Sequence, residues 1–224
     1  MPATGESPAP TMRERYRAQV RQEVKQAALA QLAQAGPAAV SISAIGKQLG
    51  VSGPALYRYF ASRDDLLTEL VIDAYGDLAS ALATAAAPSS VPGARFAATA
   101  RAYRAWALEQ PHRYRLLFGP PLPGYDAHAQ PLIDAAQAAM KVLLDTLGEA
   151  GDRAAVPPEP LASQLAAWAQ PYDHLAGPAV ALRAVLAWSR LHGLVSLEIA
   201  GNYASMGLNP ARLFELELAT LGTG

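Results

Sequence analysis

Cysteine is absent from the 224-residue chain. Its absence excludes disulfide bonds, thiolate zinc sites and cysteine nucleophiles, and it is compatible with a reducing cytoplasm. Long apolar runs are also missing, since no stretch approaches the roughly 18 apolar residues that a membrane-spanning helix needs. The Pro-, Ala-, Ser- and Gly-rich N-terminus has no signal-peptide core. We therefore expect a cytoplasmic protein without a membrane segment, with a disordered tail at residues 1–11.

Recognisable catalytic patterns are missing as well. The sequence contains no Gly-x-Gly-x-x-Gly, no phosphate-binding loop and no Gly-x-Ser-x-Gly. No two histidines have the His-x-x-x-His spacing of a zinc site; the histidines are His112, His128, His174 and His192. The sequence therefore predicts neither an enzyme nor a metal or cofactor site.

Charge is distributed unevenly, although the net charge is only −1. Residues 1–63 contain eight Lys and Arg but three acidic residues, whereas the remainder contains ten basic and sixteen acidic residues. A basic N-terminal part is typical of a surface that meets a polyanion such as nucleic acid. Chance fluctuation in a small count is the alternative, so charge alone does not decide the function.

Helix-forming residues dominate, and strand-like alternation of apolar and polar residues is absent, which predicts an all-α protein. In the first helix, apolar residues recur at three- and four-residue spacing: Val20, Val24, Ala27, Ala28 and Leu32. Proline and glycine separate the expected helices. These cover about residues 12–35, 43–49, 53–59, 62–86, 93–110, 112–118, 128–150, 159–169, 178–201 and 210–221.

The segment from Ser41 to Phe60 has the pattern of two short helices joined by a turn at Gly50. Glycine there suits the positive φ that ends a helix. Gly46 is small enough for a close helix crossing, and Ser52 is a suitable cap for the second helix. The residues expected to face inward are Ala44, Ile45, Leu49, Val51, Leu56 and Phe60.

The outer face of the second short helix predicts contact with DNA. Small residues at its start would let the backbone approach base edges, and tyrosine hydroxyls suit phosphate oxygens. Arg58 would reach a guanine edge or a phosphate. This is the pattern of a helix-turn-helix motif, with an ordinary helical hairpin as the alternative. The predicted DNA-contacting residues are Ser41, Ser43, Ser52, Gly53, Pro54, Ala55, Tyr57, Arg58, Tyr59 and Arg63.

Three neighbouring runs carry a family resemblance: Gly50-Val51-Ser52, Ala55-Leu56-Tyr57-Arg58-Tyr59-Phe60 and Ser62-Arg63-Asp64-Asp65-Leu66-Leu67. Together they resemble the N-terminal domain of the TetR family of bacterial regulators. The resemblance covers about residues 16–70. It implies a three-helix DNA-binding domain at 12–70, joined by a long fourth helix to a ligand-binding and dimerisation domain at 71–224. It also implies phosphate contacts by Tyr57, Tyr59 and Arg63. Gly53 departs from the more usual polar or basic residue and has no side chain to contact a base.

The C-terminal part offers weaker signals. Trp188, His192 and Gly193 are similar to the Trp-x-x-x-His-Gly signature of one C-terminal subclass of this family. That similarity implies a homodimer interface at residues 178–201 and 210–221. Aromatic residues and histidines are candidates for an apolar ligand cavity, although each fits a plain core equally well: Tyr103, Trp106, Phe118, Trp168, Tyr172, His174, Trp188 and His192.

The resemblance implies a homodimeric repressor that a small molecule releases from a palindromic operator, and we expect that effector to be uncharged or aromatic. The alternative is a TetR-like ligand carrier or partner protein that has lost DNA binding, which the glycine at position 53 keeps open. The basic stretch from Arg13 to Arg17 is either a minor-groove arm or a solvated helix start.

Overall fold

The computed structural model describes residues 11–89, 91, 93–119, 124–127, 129–148, 156–172 and 177–222. Within these ranges the chain is helical and contains no strand, which confirms the predicted all-α fold. Apart from Thr11, the predicted N-terminal tail lies outside the described residues. The helices are α1 (Met12–Ala35), α2 (Ile42–Leu49), α3 (Gly53–Leu56), α4 (Arg63–Ala85), α5 (Ala94–Glu109), α6 (Pro111–Phe118), α7 (Gln130–Gly148), α8 (Leu161–Ala169), α9 (Pro178–Ile199), α10 (Asn202–Ser205) and α11 (Pro210–Gly222).

Most predicted bounds lie within two residues of these helices, and two regions differ in character. The second short helix was expected to reach residue 59, but α3 ends at Leu56 and continues as turns. Mixed i→i+3 and i→i+4 bonds in those turns, such as Tyr59 N–H to Leu56 O at 2.8 Å, still give a helix-like course. The expected helix 178–201 ends at Ile199, and α10 follows after Gly201, which adopts a positive φ of 78°.

Helix α1 shows how local sequence sets both of its ends. Thr11 and Glu14 form a capping box, in which the Thr11 hydroxyl accepts from the Glu14 amide and the Glu14 carboxylate accepts from the Thr11 amide. Gly36 ends the helix with a φ of 76°. The buried residues of α1 are the predicted stripe, Val20, Val24, Ala27, Ala28 and Leu32. The 3.6-residue period of the apolar residues therefore identified the inner face correctly.

The chain divides into two compact units. The first contains the described residues up to Leu70, together with Gly124 and Tyr125. The second contains Val71–Gly119 and the described residues from Asp126 onward. Helix α5 is central to the second unit, since it packs against α6, α7, α9 and α11. Its buried side chains include Phe96, Tyr103 and Trp106.

Helix α9 is long and apolar enough, by length and composition alone, to cross a membrane. This differs from the expectation that the sequence holds no such segment, because alanines and leucines around Arg183 and Arg190 keep its mean hydropathy high. A single such helix is weak support for a membrane span. The buried positions of α9, including Ala184, Leu191 and Val195, pack into the core of the second unit.

Gly46 permits a close contact between α2 and the segment that follows it. An added Cβ would lie 2.8 Å from the Val51 carbonyl oxygen and 3.1 Å from Leu56 Cδ1. The predicted close crossing is therefore confirmed.

We expect Gly46→Ala to lower the free energy of unfolding by about 1–3 kcal/mol, because the added methyl group overpacks a backbone contact. Thermal and urea unfolding followed by circular dichroism would measure the change. Gly53→Ala is the matched control, since a Cβ at Gly53 meets no atom within 4 Å. Equal unfolding midpoints for the two variants would contradict this account.

Candidate nucleic-acid interface and apolar cavity

Helix α2 is held by a cap and a narrow apolar stripe. The Ser41 hydroxyl accepts from the Ala44 amide at 3.3 Å. Ile42, Ile45 and Gly46 are buried, whereas Ala44 is exposed, which corrects the expectation that Ala44 faces inward. The helix begins at Ile42 and not at Ser43. The inner face therefore follows i, i+3 and i+4 from Ile42 and leaves Ala44 on the opposite side.

The segment from Gly53 to Phe60 is anchored by two side chains and presents the others outward. Leu56 and Phe60 are buried, as predicted. Tyr57 is 51% exposed, and Arg58 is exposed beside it. Ser52 makes no capping hydrogen bond through its hydroxyl, which corrects the predicted cap. Its carbonyl instead accepts from the amides of Ala55 and Leu56, so the backbone itself closes the first turn.

The other predicted DNA-contacting residues vary in exposure. Ser43, Ser52 and Pro54 are exposed, whereas Ser41, Gly53, Ala55 and Tyr59 are intermediate. Exposed side chains next to a short, anchored helix form a surface that can approach a DNA groove without moving the core.

Arg63 is engaged by the backbone of its own unit. Its Nε donates to the Val40 carbonyl at 3.0 Å, and Nη2 donates to the Pro37 carbonyl at 2.8 Å. These contacts fasten the first turn of α4 to the chain between α1 and α2. Two of the five guanidinium donors are thereby used on backbone carbonyls, so Arg63 has a positioning role in the fold, and its contact with a phosphate remains a prediction.

Arg21 is a residue whose part in this site the sequence did not reveal. Its guanidinium donates to the Tyr59 carbonyl, pairs with the Glu69 carboxylate and lies 4.5 Å from the centre of the Phe60 ring. Lys25 also approaches Glu69, at 3.2 Å. Helix α1 is thus connected to α4 and to the turn that carries Tyr57. The partners lie 38 and 48 residues away from Arg21 in the chain, so no local pattern could have indicated them.

Arg13, Arg15 and Arg17 lie in the first turns of α1, where all residues from Met12 to Gln19 are exposed. They therefore belong to a solvated helical segment and not to an extended arm. Contact between these arginines and DNA remains a prediction.

A cavity of about 240 Å³ lies within the second unit. It is lined by Tyr75, Leu78, Leu82, Phe118, Ala136, Ala139, Met140, Leu143, Trp188 and His192. Three predicted ligand residues, Phe118, Trp188 and His192, lie in this lining. The contributions of α4 and α7 were not predicted, because aliphatic residues that line a cavity have the same sequence pattern as those that fill a core.

The other predicted ligand residues do not line this cavity. Tyr103 and Trp106 are buried in the core on α5. Trp168 is 38% exposed because it lies on the outer side of α8. Its ring packs against that of Tyr172, with ring centres 5.4 Å apart. These findings correct their assignment to the cavity, while His174 lies outside the described residues.

His192 connects the cavity to a buried hydrogen-bond network. Its Nδ1 lies 3.0 Å from the Tyr114 hydroxyl and 3.3 Å from the Tyr103 hydroxyl. The Tyr114 hydroxyl is also 2.7 Å from Ser196 Oγ. Burial lowers the pKa of His192 and raises that of both tyrosines, so all three rings are neutral near pH 7. The network therefore ties α5, α6 and α9 together without a buried charge.

An exposed aromatic and basic surface on a closely packed helix pair is typical of DNA-binding proteins of the helix-turn-helix class. The chain also contains a larger helical unit. Residues 26–70 match the model of the tetR family of bacterial regulatory proteins, and residues 96–221 match that of the tetracyclin repressor-like C-terminal domain. The chain belongs to the TetR family. The Trp188 to Gly193 motif falls within the second matched range.

Relatives and solved structures agree with this assignment. The chain is 32% identical over 214 residues to the HTH-type transcriptional regulator Rv1816 of Mycobacterium tuberculosis, covering 92% of both chains. It is 45% identical to SCO4313, whose crystal structure it matches with a TM-score of 0.81, over 94% of this chain and 98% of that one. The structure of the TetR family regulator PfmR from Thermus thermophilus is 15% identical in sequence, and the match covers 90% of this chain and 97% of PfmR. Its TM-score of 0.60 shows a shared fold. Membership of a family of regulators confirms the prediction that the chain is not an enzyme.

We expect Arg63→Ala to lower thermal stability and DNA affinity while leaving the salt dependence of binding unchanged, because the role we propose for Arg63 is to hold the first turn of α4 to the Val40 and Pro37 carbonyls. Fluorescence anisotropy at several salt concentrations would measure this. Loss of one phosphate contact per subunit would instead reduce the slope of log K against log salt by about 0.9 for each contact. A reduced slope would restore the phosphate role to Arg63.

Proposed function

We propose that this chain is a homodimeric repressor, in which residues 12–70 bind a palindromic operator and residues 71–224 dimerise and bind a small effector. The observation that carries the DNA-binding half is the surface of Tyr57 and Arg58, exposed on a turn whose inner residues, Leu56 and Phe60, are almost completely buried. A rigid base with exposed polar tips is what groove docking requires.

The DNA contacts divide into two groups. Tyr57 and Tyr59 would hydrogen-bond to phosphates, and these contacts set the register of the protein on the duplex. Base recognition would then fall to Arg58 and to the region of Ser41 and Ser43, since Gly53, Pro54 and Ala55 have no hydrogen-bonding side chains. Ser52 is exposed and would add a hydroxyl at the start of α3.

Dimerisation through α9 and α11 is supported by apolar residues exposed on both helices. Only 28% of the most apolar 18-residue window of α9 is buried within the chain. Leu186 and Leu197 on α9 are 47% and 43% exposed, and Leu216 on α11 is 67% exposed. Burying such side chains against a second copy stabilises association by about 25 cal/mol for each Å² removed from water.

Ligand control would follow from the cavity in the second unit. Tyr75, Leu78 and Leu82 of α4 form part of its wall. A molecule in the cavity would therefore bind with different affinity to conformations that differ in the position of α4. Such a molecule shifts the equilibrium between DNA-competent and DNA-incompetent dimers only by that difference in affinity.

The DNA-binding proposal is tested with a labelled duplex from the region upstream of the chain's own gene. We expect specific binding by the wild type and a loss of at least about tenfold in affinity for Tyr57→Phe, since a hydrogen bond to a charged group contributes about 1.5–3 kcal/mol. Tyr203→Phe is the matched control, because Tyr203 is buried in the second unit. Equal affinities for all three proteins would remove Tyr57 from the interface. Failure of the wild type to protect any part of that region would favour a family member that has lost DNA binding.

The dimer interface is tested by placing a charge on it. We expect Leu216→Asp to increase the dimer dissociation constant by at least about tenfold, because an unpaired carboxylate would be buried against the partner. Leu108→Asp on α5 is the control, at a position 38% exposed. Sedimentation velocity over a concentration series measures both variants. If Leu108→Asp dissociates the dimer and Leu216→Asp does not, the interface lies elsewhere.

A further inference from the structure

The wall of the cavity in the second unit contains a continuous cluster of aromatic rings. Phe118 lies 5.4 Å from Trp188 and 5.1 Å from His192 between ring centres, and Trp188 stacks on His192 at 5.5 Å with an interplanar angle of 24°. Tyr75 meets Phe118 edge-on at 6.2 Å. The rest of the lining is aliphatic and comes from α4 and α7. Flat rings beside aliphatic groups favour a planar aromatic guest, which gains stacking and edge-to-face contacts in addition to apolar burial.

Charge restricts the guest further. None of the described residues that line the cavity carries a formal charge at neutral pH, since its single ionisable imidazole, His192, is neutral there. A carboxylate or ammonium group in this cavity would lose its hydration without gaining an ionic partner from the lining. The lining therefore selects against charged molecules.

His192 gives the mostly apolar lining a directional polar group. When Nδ1 accepts from the Tyr114 hydroxyl, at 3.0 Å the shorter of its two tyrosine contacts, the neutral imidazole carries its proton on Nε2. Among the described residues, Nε2 lies 3.4 Å from Ser196 Oγ, which is a long and weak contact. A hydrogen-bond acceptor on a bound molecule would be a better partner for this N–H group.

We propose that the cavity binds a small, planar, uncharged aromatic molecule bearing one hydrogen-bond acceptor, which meets the Nε2–H of His192. This inference rests on the proposed function, since it names the chemical class of the effector. The volume of about 240 Å³ lies below the about 300–1,000 Å³ of sites for drug-sized ligands, so the guest has the size of a few fused rings at most.

Three probes of similar size test the proposal by isothermal titration calorimetry on the full-length protein without DNA. Quinoline is neutral and has one acceptor, naphthalene has the same shape without the acceptor, and 1-naphthoate is an anion. We expect quinoline to bind at least about tenfold more tightly than naphthalene, because only quinoline satisfies the imidazole N–H. Binding of 1-naphthoate should be undetectable. Equal or tighter binding of 1-naphthoate, or no binding of any probe, overturns the proposal.

Two variants locate the binding. His192→Phe keeps an aromatic ring in the cluster and should abolish the preference for quinoline over naphthalene. Ala136→Phe fills the cavity and should remove quinoline binding, whereas Ala138→Phe, an exposed position on the same helix, should leave it unchanged. Persistence of the quinoline preference in His192→Phe, or of quinoline binding in Ala136→Phe, overturns the assignment. The Ala136 pair decides the location even if His192→Phe fails to fold.

The failure of this inference is separable from failure of the proposed function. Anisotropy with operator DNA reports DNA binding independently of the probes. If the protein binds operator DNA but none of the probes, only the proposed chemical class of the effector is refuted. If quinoline binds but leaves the affinity for operator DNA unchanged, the proposed chemical class is supported and the proposed release from the operator by a ligand is refuted.

Discussion

The close approach of α2 to the Val51–Leu56 segment is the constraint on which the exposed surface of Tyr57 and Arg58 depends. Helix α3 is only four residues long and has one buried side chain, so its own packing cannot fix its orientation. Because Gly46 has no side chain, the Val51 carbonyl oxygen lies where it would be only 2.8 Å from a Cβ atom at position 46. The turn after α3 is then held by Phe60 and by the guanidinium of Arg21. These contacts fix the backbone that carries Tyr57 and Arg58, whose side chains are exposed.

The second unit follows a different logic, in which neutral polar groups organise an aromatic core. Tyr103, Tyr114 and His192 satisfy one another and join three helices. A buried network in which every group has a partner specifies one arrangement more sharply than apolar packing alone. The cavity lies directly against this network, at His192. A bound molecule that engages His192 would therefore contact the residue that connects α5, α6 and α9.

Sequence periodicity and punctuation were sufficient for most of the fold. The stripe on α1 and the glycine turn at Gly50 depend on neighbours within a few residues, and both appear in the structure as predicted. The roles of Arg21 and Arg63 depend on carbonyl groups at least 23 residues away along the chain, which no local pattern encodes. The cavity was predicted only in part, because Phe118, Trp188 and His192 stand out as aromatic residues whereas Leu78, Ala139 and Leu143 do not differ from core residues. Trp168 was misassigned because an aromatic residue in an amphipathic helix does not reveal which face is covered.

A single side chain, that of Arg21, joins three parts of the first unit. Its planar guanidinium reaches a carbonyl, a carboxylate and an aromatic face at the same time, a combination that the point charge of lysine cannot reproduce. The fold of the first unit therefore requires Arg21 for a reason that is independent of any contact with an operator. A substitution on the scaffold would thus impair DNA recognition without changing any residue of the surface that meets DNA.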